Sequence, residues 1–120
     1  MEKEVKVFYE NIGRLFATSS AATISLMGEL IFMTEENSPE IVFDRHSRTA
    51  LAEELDYSTI TISRALKELK AYGVIANKID NDGAVINNNF VLNPLMFWHG
   101  DIHERQNAIE KYQHYFQFSK

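Results

Sequence analysis

Apolar residues recur at helical spacing between residues 59 and 72. The stripe follows the i, i+3, i+4, i+7 pattern of an amphipathic helix and consists of Ile62, Ala65, Leu66, Leu69 and Tyr72. The opposite face carries short polar residues, one isoleucine and cations: Thr59, Ile60, Ser63, Arg64, Lys67 and Lys70. Ser58 is the predicted N-cap, because its hydroxyl can accept from a backbone N–H of the first turn. We therefore expect a helix that begins near Thr59, buries one face and leaves the other free for a partner.

A second helix is predicted immediately before it. Ser47 is its expected N-cap, Ala50, Leu51 and Leu55 its expected buried face, and Asp56-Tyr57 its end. Because so short a turn joins the two segments, residues 47–72 form a predicted helix–turn–helix.

The pattern predicts two further helices in the N-terminal third. Phe8, Ile12, Leu15 and Phe16 favour a helix over Val5 to Phe16, although Val5 and Val7 alternate as in a strand. Ser19 and Ser20 precede a stronger helix from Ala21 to Met33. Its stripe consists of Ile24, Met27, Leu30 and Ile31. The β-prone run Ile41-Val42-Phe43 predicts a short strand after Pro39.

A hairpin and a final helix complete the prediction. Strands from Val74 to Ile79 and from Ala84 to Leu92 flank Asn81-Asp82-Gly83, and Asp-Gly between β-prone runs indicates a tight turn. The run Asn87-Asn88-Asn89 is interpreted as solvated, with hydrogen bonding to phosphates or bases as the alternative. Asp101, with Glu104 three residues later, predicts the start of a helix that covers about residues 101–118.

The paired helices resemble the helix–turn–helix of winged-helix and catabolite-activator-like regulators. The resemblance rests on Ser47-Arg48, Leu51-Ala52 and the nearly continuous run Ser58 to Leu66, with Asp56 where the family usually has glycine. It implies an α+β fold, a winged helix–turn–helix with extra N- and C-terminal helices, in one domain over residues 1–120. Residues 74–92 would then form the wing.

The C-terminal third narrows this resemblance. Phe90 to Pro94, Gly100-Asp101 and a charged helix that ends in aromatic residues resemble RepL-type plasmid replication proteins of Firmicutes. The resemblance implies a protein that recognises double-stranded DNA at a plasmid origin, in replication initiation or copy control, and brings host replication proteins to it.

DNA contacts are predicted from the geometry of a recognition helix together with this resemblance. Thr59, Ile60 and Arg64 are the expected base contacts, since the first turns of such a helix face base edges. The other expected contacts are phosphate or surface contacts: Ser47, Arg48, Ser58, Thr61, Ser63, Lys67 and Lys78. A purely structural role, capping for Ser47 and Ser58 and packing for Thr61, is the alternative.

The net charge of the chain and the distribution of its charged residues bear on the predicted DNA binding in opposite ways. The net charge is −5, which disfavours a general nucleic-acid binder. Residues 45–78, however, contain six cations against four acids, so the positive charge is concentrated on the helix–turn–helix. Because Asp80 and Asp82 lie at the hairpin tip, we do not expect the wing to contribute strongly to DNA affinity.

Enzymatic chemistry is not expected. The sequence has no cysteine, no His-x-His pair and no phosphate-binding Gly-x-x-x-x-Gly-Lys-Ser/Thr motif, and we expect no cofactor. His99 and His103, with Asp101 and Glu104 nearby, are a weak metal candidate. Trp98 is interpreted as a core anchor rather than a stacking platform for bases. No secretory signal or membrane span is recognisable, so a cytoplasmic protein is expected.

Two questions stay open at this level. The aromatic face of the last helix packs on its own chain, forms a homodimer interface, or does both; its residues are Ile102, Ala108, Ile109, Tyr112, Tyr115 and Phe116. The function is DNA binding in plasmid replication, DNA binding in transcriptional regulation, or a protein-interaction module that retains the helix–turn–helix without binding DNA.

Overall fold

The computed structural model describes residues 4–8 and 19–116 of the chain. The helices within these residues are α1 (Ala21–Met33), α2 (Arg45–Leu55), α3 (Thr59–Ala71) and α4 (Ile102–Tyr112), and α4 continues into a 3₁₀ turn (Gln113–Tyr115). The strands are β1 (Lys6–Val7), β2 (Glu40–Val42), β3 (Ile75–Ile79), β4 (Val85–Leu92) and β5 (Phe97–Trp98). The protein is therefore of the mixed α+β class. No helix in the described ranges is long and apolar enough to cross a membrane.

Two small antiparallel sheets organise the chain. β3 and β4 form a hairpin, and β2 pairs with the other side of β4, so the strand order is β2-β4-β3. β1 pairs separately with β5. The hairpin turn is held by Asp80, whose carboxylate accepts from the backbone N–H groups of Asp82 (2.8 Å) and Ala84 (3.0 Å), while Gly83 adopts a positive φ of 84°. The predicted Asp-Gly hairpin is thus confirmed.

The main core lies between the sheet and the helix layer. Leu26 and Leu30 of α1 meet Ile62, Leu66 and Leu69 of α3, and all five side chains are buried. The sheet closes this core with Phe90, Leu92 and other apolar residues. The predicted stripe of α3 is confirmed except at Tyr72, which caps the helix and is exposed. In α1 the buried face includes Leu26 as well as the predicted Met27 and Leu30, while Ile24 and Ile31 are half-buried.

Local caps explain where α1 and α3 begin. Ser20 accepts from the backbone N–H of Thr23 at 3.2 Å, and Ser58 accepts from that of Thr61 at 3.1 Å. Both helix starts agree with the prediction. The predicted cap of α2 is wrong: the helix begins at Arg45, and the carboxylate of Asp44 accepts from Ser47 N–H at 2.8 Å. Ser47 therefore lies inside the first turn, and Ala50 is exposed while Ala52 is buried.

The turn between α2 and α3 depends on Asp56. This residue adopts a left-handed backbone (φ 59°, ψ 41°) and ends α2, with its N–H directed to carbonyl groups of the last turn. Glycine is the usual residue in this conformation, but aspartate tolerates it better than most. The substitution of aspartate for glycine in the motif is thus compatible with the same turn.

The N-terminal prediction is partly wrong. Lys6–Val7 is a strand that pairs with Phe97–Trp98, not the start of a helix, and residues 9–18 lie outside the described residues. The alternation of Val5 and Val7 was the correct signal here.

The C-terminal helix packs on its own chain. Ala108, Tyr112 and Phe116 form a second core with Val91 and Trp98. Trp98 is 1% exposed and donates from Nε1 to the Asp101 carbonyl at 2.8 Å, which excludes its use as a stacking platform and confirms the core interpretation. Ile102 is exposed, and the helix gives way to the 3₁₀ turn after Tyr112, earlier than predicted. Residues 117–120 lie outside the described residues.

This end of the chain also contacts the hairpin. Lys78 of β3 forms an ion pair with Glu40 of β2, and the same carboxylate accepts from the Tyr112 hydroxyl. The Tyr115 hydroxyl accepts from the backbone N–H of Ile79 at 3.2 Å and donates to its carbonyl at 3.3 Å. The bonds of Tyr112 and Tyr115 join the last helix and its 3₁₀ turn to the three-stranded sheet.

Candidate nucleic-acid interface

The outer face of α3 presents a shallow groove, here called the α3 groove. Its lining consists of five residues: Thr59, Ile60, Ser63, Arg64 and Lys67. They are the predicted residues of the free face apart from Lys70. Because Ile62, Leu66 and Leu69 turn inward and are buried, the helix cannot rotate without exposing its core. The packing therefore holds this face outward.

Ile60 is an exposed apolar residue in this polar setting. Its side chain is 64% exposed although it lies in the first turn of a helix whose inner face is fully buried. A single exposed aliphatic residue is common on protein surfaces. Ile60 lines the groove together with Thr59, Ser63 and Arg64, so methyl groups and hydrogen-bond donors lie side by side. Base edges in the major groove of DNA present the matching acceptors and the thymine methyl group.

The cations of this region have no acidic partners. Arg45, Arg48, Arg64 and Lys67 form no ion pair within 4.0 Å among residues 4–8 and 19–116. Lys70 is half-buried, and its Nζ lies 5.4 Å from the Phe90 ring centroid. Burial first, and then the charges of Arg48 and Lys67, lower the pKa of Lys70 below its usual value. The charges of Arg48 and Lys67 therefore act unfavourably on the Lys70 ammonium group.

The remaining predicted contacts other than Lys78 divide into three groups. Ser58 and Thr61 bond to each other through their hydroxyls at 3.0 Å at the start of α3, next to the α3 groove. Arg48 lies on α2 in a neighbouring cleft that shares Thr59 and Ser63 with the α3 groove. Ser47 is half-buried in the first turn of α2 and lines neither surface.

Lys78 is not brought together with the others. It lies in a groove behind the hairpin, next to α4, where its ammonium group pairs with Glu40. Burial raises the pKa of Glu40, but hydrogen bonds from Lys78 and Tyr112 outweigh this and hold it below the usual 4.5. A DNA contact by Lys78 would have to compete with this bonded carboxylate.

The histidine and acid cluster of the C-terminal segment is held by structural bonds. The Nδ1 atom of His99 lies 3.0 Å from the Thr34 carbonyl, and Asp101 accepts from the backbone N–H of His103 at 2.8 Å as the N-cap of α4. In the part of the chain that the structure describes, no three His, Asp or Glu side chains converge on a possible metal position.

Three residues beside the α3 groove are not among the predicted contacts, although phosphate bonding by Asn88 was considered as an alternative. Arg45, Thr49 and Asn88 line the neighbouring cleft together with Arg48, Thr59 and Ser63. Arg45 was detectable as a cation close to the motif, whereas Asn88 lies 17 residues beyond Ala71, the last residue of α3. Comparison with protein-family models, curated proteins and solved structures finds no match to this chain.

Proposed function

We propose that this chain is a winged-helix protein that binds a specific site in double-stranded DNA through α3. The observation that carries the proposal is the α3 groove: an outward helix face with short polar groups at its start and unpaired cations further along. An α-helix of this kind fits the major groove of B-DNA, where its first turns meet base edges.

The order of elements supports the winged-helix part of the proposal. A helix, a short strand, two helices and a hairpin follow one another, and the short strand β2 pairs with the far strand of the hairpin. In this arrangement α2 supports α3 from behind and the β3–β4 hairpin is the wing. Because its tip carries Asp80 and Asp82, we assign the affinity to the helices and not to the wing tip.

The biological process that we propose is plasmid replication initiation or copy control, with the protein acting as a homodimer and engaging host replication proteins. This part rests on the resemblance of residues 90–101 and the following helix to RepL-type proteins. A transcriptional regulator with the same reading helix is the second candidate. Deletion of the gene from its replicon separates them, because loss of an initiator stops replication whereas loss of a repressor changes transcription.

An interaction module that does not bind DNA is the third candidate. The net charge of −5 and the acidic hairpin tip favour it. It requires that the cations of the α3 groove bind a protein, and it predicts no salt-sensitive binding to duplex DNA.

The experiment that tests DNA binding is selection of bound fragments from the replicon that carries the gene, followed by affinity measurements at low and moderate salt. Enrichment of one repeated or palindromic site, with weaker binding at higher salt, supports the proposal. Absence of enrichment, with no affinity for any duplex at low salt, overturns it in favour of the interaction module.

Arg64→Ala sharpens this test. Loss of a guanidinium that forks onto a guanine should weaken binding to the selected site by about 1–3 kcal/mol. Stability should stay within about 0.5 kcal/mol of the unaltered protein, because Arg64 is exposed. Lys111→Ala on α4 removes the same charge away from the α3 groove and serves as the control. Equal losses from both variants would contradict a specific role for Arg64.

A further inference from the structure

The cleft beside the α3 groove joins three elements. Six residues line it: Arg45, Arg48, Thr49, Thr59, Ser63 and Asn88. Its volume is about 500 Å³, and it is continuous with the α3 groove through Thr59 and Ser63, which belong to both. We call it the Asn88 cleft. A double helix laid along α3 would therefore pass its mouth.

An irregularity in β4 places Asn88 there. Along β3 the pairing advances by two residues, from Asn77 to Ile79, while along β4 it covers five, from Phe90 to Val85. The additional residues of β4 form a bulge, and Asn88 within it adopts a left-handed backbone with φ of 64°. Asparagine is among the residues that accept this conformation most readily.

The bulge is held in place by hydrogen bonds on both sides. The Asn89 side chain donates to the Asn87 carbonyl at 2.8 Å, which spans Asn88. The Asn88 carbonyl accepts from the backbone N–H of Phe43 at 2.7 Å. The side-chain amide of Asn88 is exposed and has no hydrogen-bond partner within the described residues. Asn88 thus has a left-handed backbone that neighbouring hydrogen bonds stabilise, and its side-chain amide is unpaired. Such backbone positions cluster at functional sites, so this amide is a candidate ligand-binding group.

The opposite wall of the Asn88 cleft is cationic. The guanidinium carbon of Arg48 lies 5.7 Å from the ring centroid of Phe43, the residue that also bonds the bulge. The Nε atom of Arg48 is buried without a hydrogen-bond partner in the described part of the chain. Arg45 adds a second guanidinium, and the lining contains no acid. Two guanidinium groups, hydroxyls and an amide are the donors that a phosphate group accepts from.

We propose that the Asn88 cleft binds a phosphate group of the DNA backbone, with Arg45 and Arg48 neutralising its charge and the Asn88 amide donating a hydrogen bond. The proposal rests on the proposed DNA binding and adds a contact from the sheet to those from α3. The source of the phosphate is the duplex held by α3, because the two surfaces share Thr59 and Ser63. Such a contact fixes the register of the protein on the duplex without reading sequence.

The test compares two aspartate substitutions in the bulge. Asn88→Asp introduces a negative charge into the cleft and keeps a residue that tolerates the left-handed backbone. Asn87→Asp makes the same change of net charge at the adjacent residue, which is exposed and does not line the cleft. The probe is a mixed-sequence duplex of about two helical turns, with affinity measured between about 50 and 200 mM salt. Thermal unfolding of each variant checks that it folds.

Asn88→Asp should weaken duplex binding by about tenfold or more, because the new carboxylate lies in the cleft beside the phosphate. Asn87→Asp should weaken it by less than about threefold, because solvent and salt screen a carboxylate outside the cleft. Asn88→Gly, which adopts a positive φ freely, should weaken binding by a few-fold without loss of stability. Arg45→Gln should lower the salt slope of binding by about one phosphate contact.

The outcomes separate this proposal from the proposed function. If the unaltered protein binds the duplex and both aspartate variants lose affinity equally, or neither does, the cleft proposal is overturned while DNA binding by α3 stands. If the unaltered protein binds no duplex at the lowest salt, both proposals fall together. Binding of inorganic phosphate alone at the cleft, with unchanged duplex affinity in Asn88→Asp, would likewise count against a DNA contact.

Discussion

The Tyr112 hydroxyl of α4 donates a hydrogen bond to the Glu40 carboxylate of β2, 72 residues earlier in the chain. The same carboxylate pairs with Lys78 on β3, so a single acid joins the last helix to two strands of the sheet. Burial and the bond to Glu40 both raise the pKa of the Tyr112 hydroxyl, which is therefore a hydrogen-bond donor throughout the neutral range.

The lowered pKa of Glu40 predicts an acid-sensitive contribution to stability. Since the folded-state pKa lies below the usual 4.5, the contribution is present above the unfolded-state pKa and disappears as the pH falls through the folded-state value. Glu40→Gln should lower the free energy of unfolding by about 1 kcal/mol at neutral pH, discounted for partial exposure, and by less below about pH 4.5. Urea unfolding between pH 3 and 7 measures this difference. Glu54→Gln, at an exposed position of α2, should show no such dependence. A difference for Glu40→Gln that does not change with pH would refute the role of its charge.

Ser58 allows capping and DNA contact to be separated. Ser58→Ala removes the acceptor for Thr61 N–H and should cost about 1 kcal/mol of stability. Ser58→Asp keeps an N-cap acceptor, so its stability should stay within about 0.5 kcal/mol of that of the unaltered protein. If Ser58 also lies against a phosphate, the aspartate variant should bind duplex DNA more weakly than the alanine variant does, despite being more stable. Denaturant unfolding measures the stability of each variant, and duplex titration measures its DNA affinity. Equal DNA affinity in the two variants would show that Ser58 acts only as an N-cap.

Gly100 and Gly28 form a contrasting pair. Gly100 has a φ of 131°, and a Cβ atom added to it would lie 2.7 Å from the backbone nitrogen of Asn37. Gly100→Ala should therefore destabilise the protein by about 2 kcal/mol or more. At Gly28, within α1, an added Cβ meets no atom within 4 Å, so Gly28→Ala should stabilise by about 0.5–1 kcal/mol. Thermal unfolding of the two variants under one condition tests the opposite signs.

Predictions from the sequence succeeded where the cause is local. The starts of α1 and α3 depend on serines three residues from the amides that they cap, and the hairpin depends on the Asp-Gly turn. The start of α2 was misplaced because Asp44 and Ser47 are both acceptable N-caps, and the structure uses the aspartate. Local patterns cannot decide between two such neighbouring caps.

Non-local pairing accounts for the other differences. Lys6–Val7 is a strand because Phe97–Trp98 lies beside it, although Val7 and Phe97 are 90 residues apart in the chain. The ammonium group of Lys78 pairs with Glu40, 38 residues earlier, a contact that the local sequence pattern did not indicate. The Asn88 cleft likewise depends on a bulge whose position follows from strand register. The face of α3, in contrast, was predictable apart from Tyr72 and Lys70 at its end, because helical periodicity alone separates its buried side from its exposed side.

The bonds between Tyr115 and Ile79 have a consequence for the protein in concentrated solution. β3 is an outer strand of the three-stranded sheet, and the N–H and C=O of Ile79 are the kind of groups through which such a strand recruits another chain. The Tyr115 hydroxyl occupies both of them. The Tyr115 side chain fills the position that an incoming strand would take at Ile79, so the 3₁₀ turn after α4 blocks edge-to-edge pairing at this residue.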